Sequence, residues 1–390
     1  MPPPLFLPWR WTSVRLRGIL VTNYVRKGIA MLQLLLGRSG TGKTEEIYRL
    51  LTDEVWSDAP EKGSCILLVP EQFSFESERT LLERLGPRMA SGVLVLSFTR
   101  LADTIFRELG GLAGRRMDDP TRALLMSQAL EQVAPHLTLY RRHTANPEYI
   151  QSMLALLSEC KQCAIPPAQL EQAANGLDGT LHAKCRELAL ILEAYDALAA
   201  QSYLDPLDDL TRLAQRMGDS PLLDGATVFI DGFKGFTQQE LQVLGGILRK
   251  ASRVTVTLCT DTLEDKSHGF GLFSPVIRTA NRLIELARQQ RTAVAKPRIL
   301  TKNHRTADPA LRFLEAGCFL PRPAVLEQPA ASVTVTPCGD IYRECQYVAR
   351  TIRRLLRENG GRCRDIALVT RDLSAYTGLL DAALEQEGIP

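Results

Sequence analysis

Leu32-Gln-Leu-Leu-Leu-Gly37-Arg-Ser-Gly-Thr-Gly-Lys-Thr44 decides the fold. The apolar run Leu32–Leu36 predicts a short buried strand. Gly37 to Thr44 places glycines where a chain must curl tightly, and Glu45 to Val55 then continues with helical spacing. Strand, glycine-rich turn and helix in this order are the setting in which Gly37, Arg38, Ser39, Gly40, Thr41, Gly42, Lys43 and Thr44 form a phosphate-binding loop. Glycines let successive main-chain N–H groups point inward at an anion, and the helix N-terminus adds its dipole. Lys43 would bridge the β- and γ-phosphates of ATP, and the Thr44 hydroxyl would join phosphate oxygens around Mg²⁺. The competing reading is a glycine turn that happens to contain Lys-Thr.

Outward from this stretch the pattern repeats. Cys65-Ile-Leu-Leu-Val69, stopped by Pro70, precedes a Glu- and Leu-rich helix from Ser74 to Leu85, and Gly92-Val-Leu-Val-Leu-Ser97 follows. Strands that are apolar throughout and alternate with helices imply a parallel sheet covered on both faces, so the class is α/β. Residues 31–119 form the first part of this domain. From 120 to 220 the pattern turns to long amphipathic stretches, Ala123–Val133, Pro147–Cys163 and Leu181–Tyr195, which predict a helical insertion. Strand chemistry resumes at Thr227–Ile230 and Val254–Leu258, separated by the helical Gln238–Lys250, so 221–325 reads as the second part of the α/β domain. Prolines cluster near 320–331. Beyond them, Val333-Thr-Val335 and Ile366-Ala-Leu-Val369 predict two strands of a further domain over 332–390 that ends before a complete sheet.

Asp231 ends the strand Thr227–Ile230, where a carboxylate can hold a magnesium-bound water; it also fits a simple Asp-Gly turn. Gly232 follows it, so no adjacent glutamate is available to activate an attacking water, and no catalytic residue is assigned.

Composition sets broad limits. The chain has 390 residues, 45% hydrophobic and 23% charged, enough for two or three domains. Lys and Arg total 47 against 44 Asp and Glu, so any nucleic-acid contact must come from local patches. Nine cysteines without a repeating spacing suit a reducing cytoplasm, and the close pair Cys160/Cys163 lacks the second pair of a zinc ribbon. No apolar run approaches the roughly 20 residues that cross a bilayer, which argues against a membrane. Residues 1–30 carry Arg10, Arg15, Arg17, Arg26 and Lys27 with no acidic residue. This bias resembles a targeting peptide but lacks a long apolar core; with Met31 directly before the first strand, a disordered or non-native leader is the simpler reading.

Gly37–Thr44, Val69-Pro-Glu-Gln72, Ser97-Phe-Thr-Arg-Leu-Ala102, Phe229-Ile-Asp-Gly-Phe233 with Phe236-Thr237, and Glu240 together resemble the AddB subunits of bacterial AddAB helicase–nucleases. Glu344, Val348-Ala349, Ile352 and Arg364-Asp-Ile-Ala-Leu-Val369 are similar to the start of those proteins' second motor-like domain. The resemblance covers about Met31 to Pro390. It implies a RecA-like P-loop NTPase domain of superfamily 1 helicase type with a helical insertion and the start of a second RecA-like domain. It further implies an AddA-like motor partner, single- and double-stranded DNA as substrate in double-strand break repair, and a C-terminal nuclease with a four-iron four-sulfur cluster beyond Pro390, so that none of the nine cysteines belongs to the cluster.

Two departures from active motors stand out. Gly232 replaces the usual glutamate, and Cys259-Thr-Asp261 lacks the usual following glutamine, so hydrolysis by this subunit is expected to be weak or absent. Asn303-His-Arg-Thr306 resembles an arginine motif that reaches the γ-phosphate from the second domain, or is a solvated basic loop. For DNA, Phe98, Thr99 and Arg100 combine an aromatic face with a hydroxyl and a guanidinium; the alternative is a core Phe98 beside a helix cap. Glu71 and Gln72 lie near the expected nucleotide edge or cap the helix that follows. Two other functions stay open at this level: a stand-alone P-loop ATPase or small-molecule kinase, and a non-enzymatic assembly scaffold.

Overall fold

The computed structural model describes residues 30–56, 63–141, 146–265, 267, 269–317, 319–320, 324–358 and 360–390. The leader therefore lies outside the described residues, apart from Ala30, and so does Cys318. The chain divides into two compact units, residues 1–306 and 307–390.

In the first unit, β1 (Met31–Gly37) leads into α1 (Lys43–Val55), β2 (Cys65–Leu68) into α2 (Ser74–Ala90), and β3 (Val93–Leu96) into α3 (Phe98–Leu109). Gly86, in the left-handed region at φ 72°, and Pro87 kink α2 where the expected helix ends. Then come β4 (Arg115–Arg116), α4 (Asp119–Val133), α5 (Pro147–Gln162), α6 (Pro167–Ala174), α7 (Gly179–Ser202), β5 (Tyr203–Leu204) and α8 (Asp209–Arg216). The unit closes with β6 (Thr227–Ile230), α9 (Gln238–Lys250), β7 (Arg253–Leu258), α10 (Ser274–Gln289), β8 (Ala293–Val294) and β9 (Arg298–Leu300).

Seven strands form one sheet in the order β3-β2-β6-β7-β1-β8, with β9 also on β1, and every pair is parallel. β4 and β5 form a separate two-stranded sheet. The period of two sorts the strand side chains onto two faces. Leu32, Leu34, Leu36, Ile66, Leu68, Val228, Ile230, Val254 and Val256 meet α3, α8, α9 and α10 on one side. Leu35, Leu67, Val69 and Phe229 meet Ile47, Tyr48, Leu51 and Leu81 of α1 and α2 on the other. Both faces are thus buried, which is why these strands read as continuous apolar runs rather than alternating ones. Each fully buried leucine here contributes about 1.5–3 kcal/mol.

The helical segment has its own core, in which Met126, Ala129 and Leu130 of α4 pack with Leu157 of α5 and Ile191, Leu192 and Tyr195 of α7. Polar groups fix its joints. Lys161 is clamped by Asp208, Asp205 and Asp196 at 2.8, 3.1 and 3.2 Å. Glu187 accepts from the main-chain N–H groups of Thr138, Leu139 and Tyr140 and from the Thr138 hydroxyl.

The second unit contains α11 (Pro309–Gly317), α12 (Ile341–Glu358) and α13 (Leu379–Gln386). Cys345 and Ala349 of α12 pack against Ala383 of α13. The two strands expected here do not form among the described residues: 333–335 and 366–369 pair with nothing. Ile366 does have extended backbone angles, φ −117° and ψ 132°. What is lacking is a neighbour, because a strand exists only as part of a ladder. Val335 and Val369 accordingly stand 89% and 92% exposed.

Candidate functional site

Parallel pairing brings one end of every strand to the same edge. Leu36 of β1 lies beside Leu258 of β7, and Ile230 of β6 beside Val256, so Gly37, Asp231 and Cys259 emerge together at the carboxyl edge. Open α/β sheets bind ligands at this edge.

The loop between β1 and α1 is built by its glycines. A Cβ on Gly37 would run into the Thr41 hydroxyl and come within 2.9 Å of the Leu300 carbonyl, so the backbone passes where no side chain fits. Gly40 and Gly42 have φ of 79° and 81°, the left-handed conformation glycine adopts without penalty. Thr41 is buried, and its hydroxyl donates to the Arg38 carbonyl at 2.9 Å. Gly42 caps α1, so the free amides of the helix N-terminus face the turn.

Lys43 folds back over this turn. Its Nζ donates to the carbonyls of Gly37 and Arg38 at 2.8 and 2.9 Å. Burial lowers its pKa below that of an ordinary lysine; Cys259 and Asp231 pull the other way, and Arg305 adds to the depression. An anion in the turn would restore favourable surroundings to this cation. Thr44 is exposed and lines a cavity of about 350 Å³ with Ser39, Gly40, Gly42, Lys43, Glu45, Cys259, His304 and Arg305.

Asp231 is 8% exposed, and its Oδ1 accepts a hydrogen bond from the Thr257 hydroxyl of the adjacent strand. That bond fixes the carboxylate at the sheet edge, within electrostatic reach of Lys43. Gly232 beyond it has φ 84°, and a Cβ there would lie 3.3 Å from the Pro70 ring. The missing glutamate thus coincides with a backbone conformation that does not favour one.

Residues 303–305 lie over the loop. The His304 amide donates to the Gly40 carbonyl at 2.7 Å, and Arg305 Nη1 donates to the Ser39 hydroxyl at 2.9 Å. Asn303 Oδ1 accepts from the Arg305 amide at 2.9 Å and holds the turn. The arginine segment is therefore part of the first unit, within the residues 221–325 assigned to it from the sequence, whereas the motif it resembles acts from a second domain. Cys259 and His304 were read from the sequence only within their motifs and Thr257 only within its strand; the sheet register and the return of the chain after β9 bring them to this site.

The segment Phe98–Arg100 takes the second of the two readings made from the sequence, a core Phe98 beside a helix cap, and not an aromatic face open to a base. Phe98 is 6% exposed and meets Phe233 and Phe236 edge-on, with centroids 5.5 and 6.3 Å away. Ser97 caps α3 by accepting from the Arg100 amide at 3.1 Å. The ring is thus a core element in this structure and offers no open face for stacking, while Thr99 and Arg100 are exposed. Arg100 pairs with Glu78 at 2.6 Å. Glu71 and Gln72 form a single 3-10 turn and make no capping hydrogen bond through their side chains.

Among the described residues no cluster of three or more His, Cys, Asp or Glu could hold a metal, so a magnesium ion at Thr44 and Asp231 would need phosphate oxygens and water to complete its shell. Among the described residues, too, no helix is long and apolar enough to cross a membrane.

The family described as ADDB, N-terminal, matches residues 34–315. Curated relatives, each by name the B subunit of an ATP-dependent helicase/deoxyribonuclease, include those of Desulforudis audaxviator, 36% identical over 369 residues, and Pelotomaculum thermopropionicum, 34% over 368. That of Acetivibrio thermocellus is 31% identical over 366 residues. Each alignment covers 92% of this chain and 31–32% of the relative, so the chain spans about a third of the length of the curated relatives it matches.

Proposed function

The chain belongs to the AddB N-terminal family, and from that premise we propose that its first unit is a RecA-like ATP-binding domain of superfamily 1 helicase type. It acts within a helicase–deoxyribonuclease that, with an AddA-like motor partner in the cytoplasm, processes broken DNA ends for recombination. The observation that carries this reading is the convergence of the Gly37–Thr44 turn, Lys43 and Asp231 on one end of a parallel sheet.

Gly37 to Gly42 would cradle the phosphates through main-chain amides, and Lys43 would exchange its two loop carbonyls for phosphate oxygens. Magnesium would neutralise phosphate charge there, with Thr44 as a direct ligand and Asp231 as an outer partner. Thr99 and Arg100 would hold DNA backbone from the first turn of α3, braced by Phe98, Phe233 and Phe236. Hydrolysis at this site is slow or absent because no carboxylate follows Asp231 to orient water.

The test is equilibrium binding of a non-hydrolysable ATP analogue with Mg²⁺, followed by phosphate release from ATP. Binding that Lys43→Ala removes, with little release even when single-stranded DNA is added, is expected. Rapid DNA-stimulated turnover would overturn the assignment of weak hydrolysis. Phosphate transfer to a small molecule, indifferent to DNA, would overturn the assignment to DNA processing.

A further inference from the structure

The helix α12 of the second unit is fixed by its apolar side. Cys345 and Ala349 are buried against Ala383, with Leu379, Leu380 and Leu384 of α13 packed around them, and Ile352 continues the same buried side of the helix. The opposite side carries Arg343, Arg350, Arg354 and Arg357. At 3.6 residues per turn these four fall within an arc of about 60°, and they span about 21 Å along the axis. All four are exposed, the side chains of Arg343 and Arg350 by 76% and 70%.

Few charges oppose this row. Arg343 lies 3.7 Å from Asp340, and Arg350 lies 3.5 Å from Glu387, which is held more closely by Arg353 at 2.7 Å. Among the described residues no carboxylate lies within ion-pair distance of Arg354 or Arg357. Glu358 flanks the C-terminal end of the row without pairing to it. Tyr347 is interleaved, its hydroxyl accepting from the Thr336 hydroxyl at 2.9 Å.

We propose that this face of α12 is a docking surface for the phosphate backbone of double-stranded DNA, distinct from Thr99 and Arg100 at the start of α3. A straight row of one sign matches a rigid polyanion, since one strand of a duplex presents a phosphate about every 3.4 Å of axis and so about six over this length. Arginine suits the task because its planar fork pairs with two phosphate oxygens at once. A protein partner would call for an apolar centre within the patch, and only Tyr347 interrupts the charges.

The experiment is binding of a blunt duplex by the full chain, followed by fluorescence anisotropy across a series of salt concentrations. The triple variant Arg350→Gln, Arg354→Gln, Arg357→Gln is expected to bind about tenfold or more weakly, and its log–log salt slope to fall by about 0.9 per lost contact, close to 2.7 in all. The corresponding Arg→Lys triple variant should keep the slope, which separates lost charge from lost folding. An unchanged slope in the glutamine variant overturns the proposal while leaving the DNA-processing function standing on other contacts. Equal loss in the lysine variant overturns it as well, and so does unaltered duplex binding accompanied by lost capture of an acidic protein partner.

Discussion

The main-chain amide of His304 donates to the carbonyl of Gly40 at 2.7 Å, tying the segment that follows β9 to the turn between β1 and α1. The bond is independent of side chains, and it sets Arg305 against Ser39 at the rim of the cavity. The cavity is thus built by two segments from opposite ends of the first unit.

Lys43 should set the pH dependence of nucleotide binding. Only the ammonium attracts phosphate, and burial holds its pKa below the ordinary lysine value. Affinity for an ATP analogue should therefore fall with rising pH earlier than an unperturbed lysine would allow, and the fall should be absent in Lys43→Ala. The same depression means the folded chain binds this proton more weakly than the unfolded one. Its contribution to stability therefore becomes less unfavourable as pH rises through the folded pKa. Calorimetric titration at several pH values checks the first expectation and thermal melting the second.

Arg305→Ala removes the guanidinium at the cavity rim but leaves the His304–Gly40 main-chain bond in place. Nucleotide affinity should drop about tenfold, the scale of one charge-assisted hydrogen bond, with the melting temperature nearly unchanged. An equal drop in analogues lacking the γ-phosphate would show that the arginine acts on the loop rather than on the terminal phosphate.

Gly232→Glu restores the residue type found in active motors yet should not restore hydrolysis. At φ 84° a side chain costs about 1–2 kcal/mol, and its Cβ would press on the Pro70 ring at 3.3 Å. Phosphate release should stay at the wild-type level and the melting temperature should fall. Vigorous turnover in this variant would show that the backbone at 232 rearranges readily.

Two buried charges should govern the stability of the helical segment. Burial opposes the charge of Lys161, but the surrounding carboxylates of Asp208, Asp205 and Asp196 outweigh that cost, so its pKa is raised. Lys161→Met would leave those carboxylates crowded without a cation and should cost roughly 3–5 kcal/mol, read as a lower denaturant midpoint. For the native lysine, a raised pKa means stability present below the unfolded value and lost only as pH climbs through the folded one, above about pH 10.

Glu187 has the opposite sign. Burial opposes its charge, but the Thr138 hydroxyl and the amides of Leu139, Thr138 and Tyr140 outweigh it and hold its pKa below the usual carboxylate range. Its contribution is complete above the unfolded pKa of about 4.3 and is lost as pH falls through the folded value. Glu187→Gln should flatten that acid limb of the stability curve.

Leu32–Thr44 by itself determined the strand, the glycine turn and the start of α1, because each depends on local period and on the conformational freedom of glycine. The apolar runs at Cys65, Val93, Thr227 and Val254 likewise announced a sheet buried on both faces. Neighbours across the sheet were decided only in three dimensions. The hydrogen bond from Thr257 to Asp231, the reach of Lys43 to Cys259 and the return of His304 to Gly40 depend on strand order and on chain far away in sequence. So does the fate of Phe98, which its own neighbours allow to be either core or contact and which Phe233 and Phe236 draw into the core. Val333–Val335 and Ile366–Val369 show the same division from the other side. Their local preference for extended structure was legible, but a strand is a relation between segments, and no described segment pairs with them.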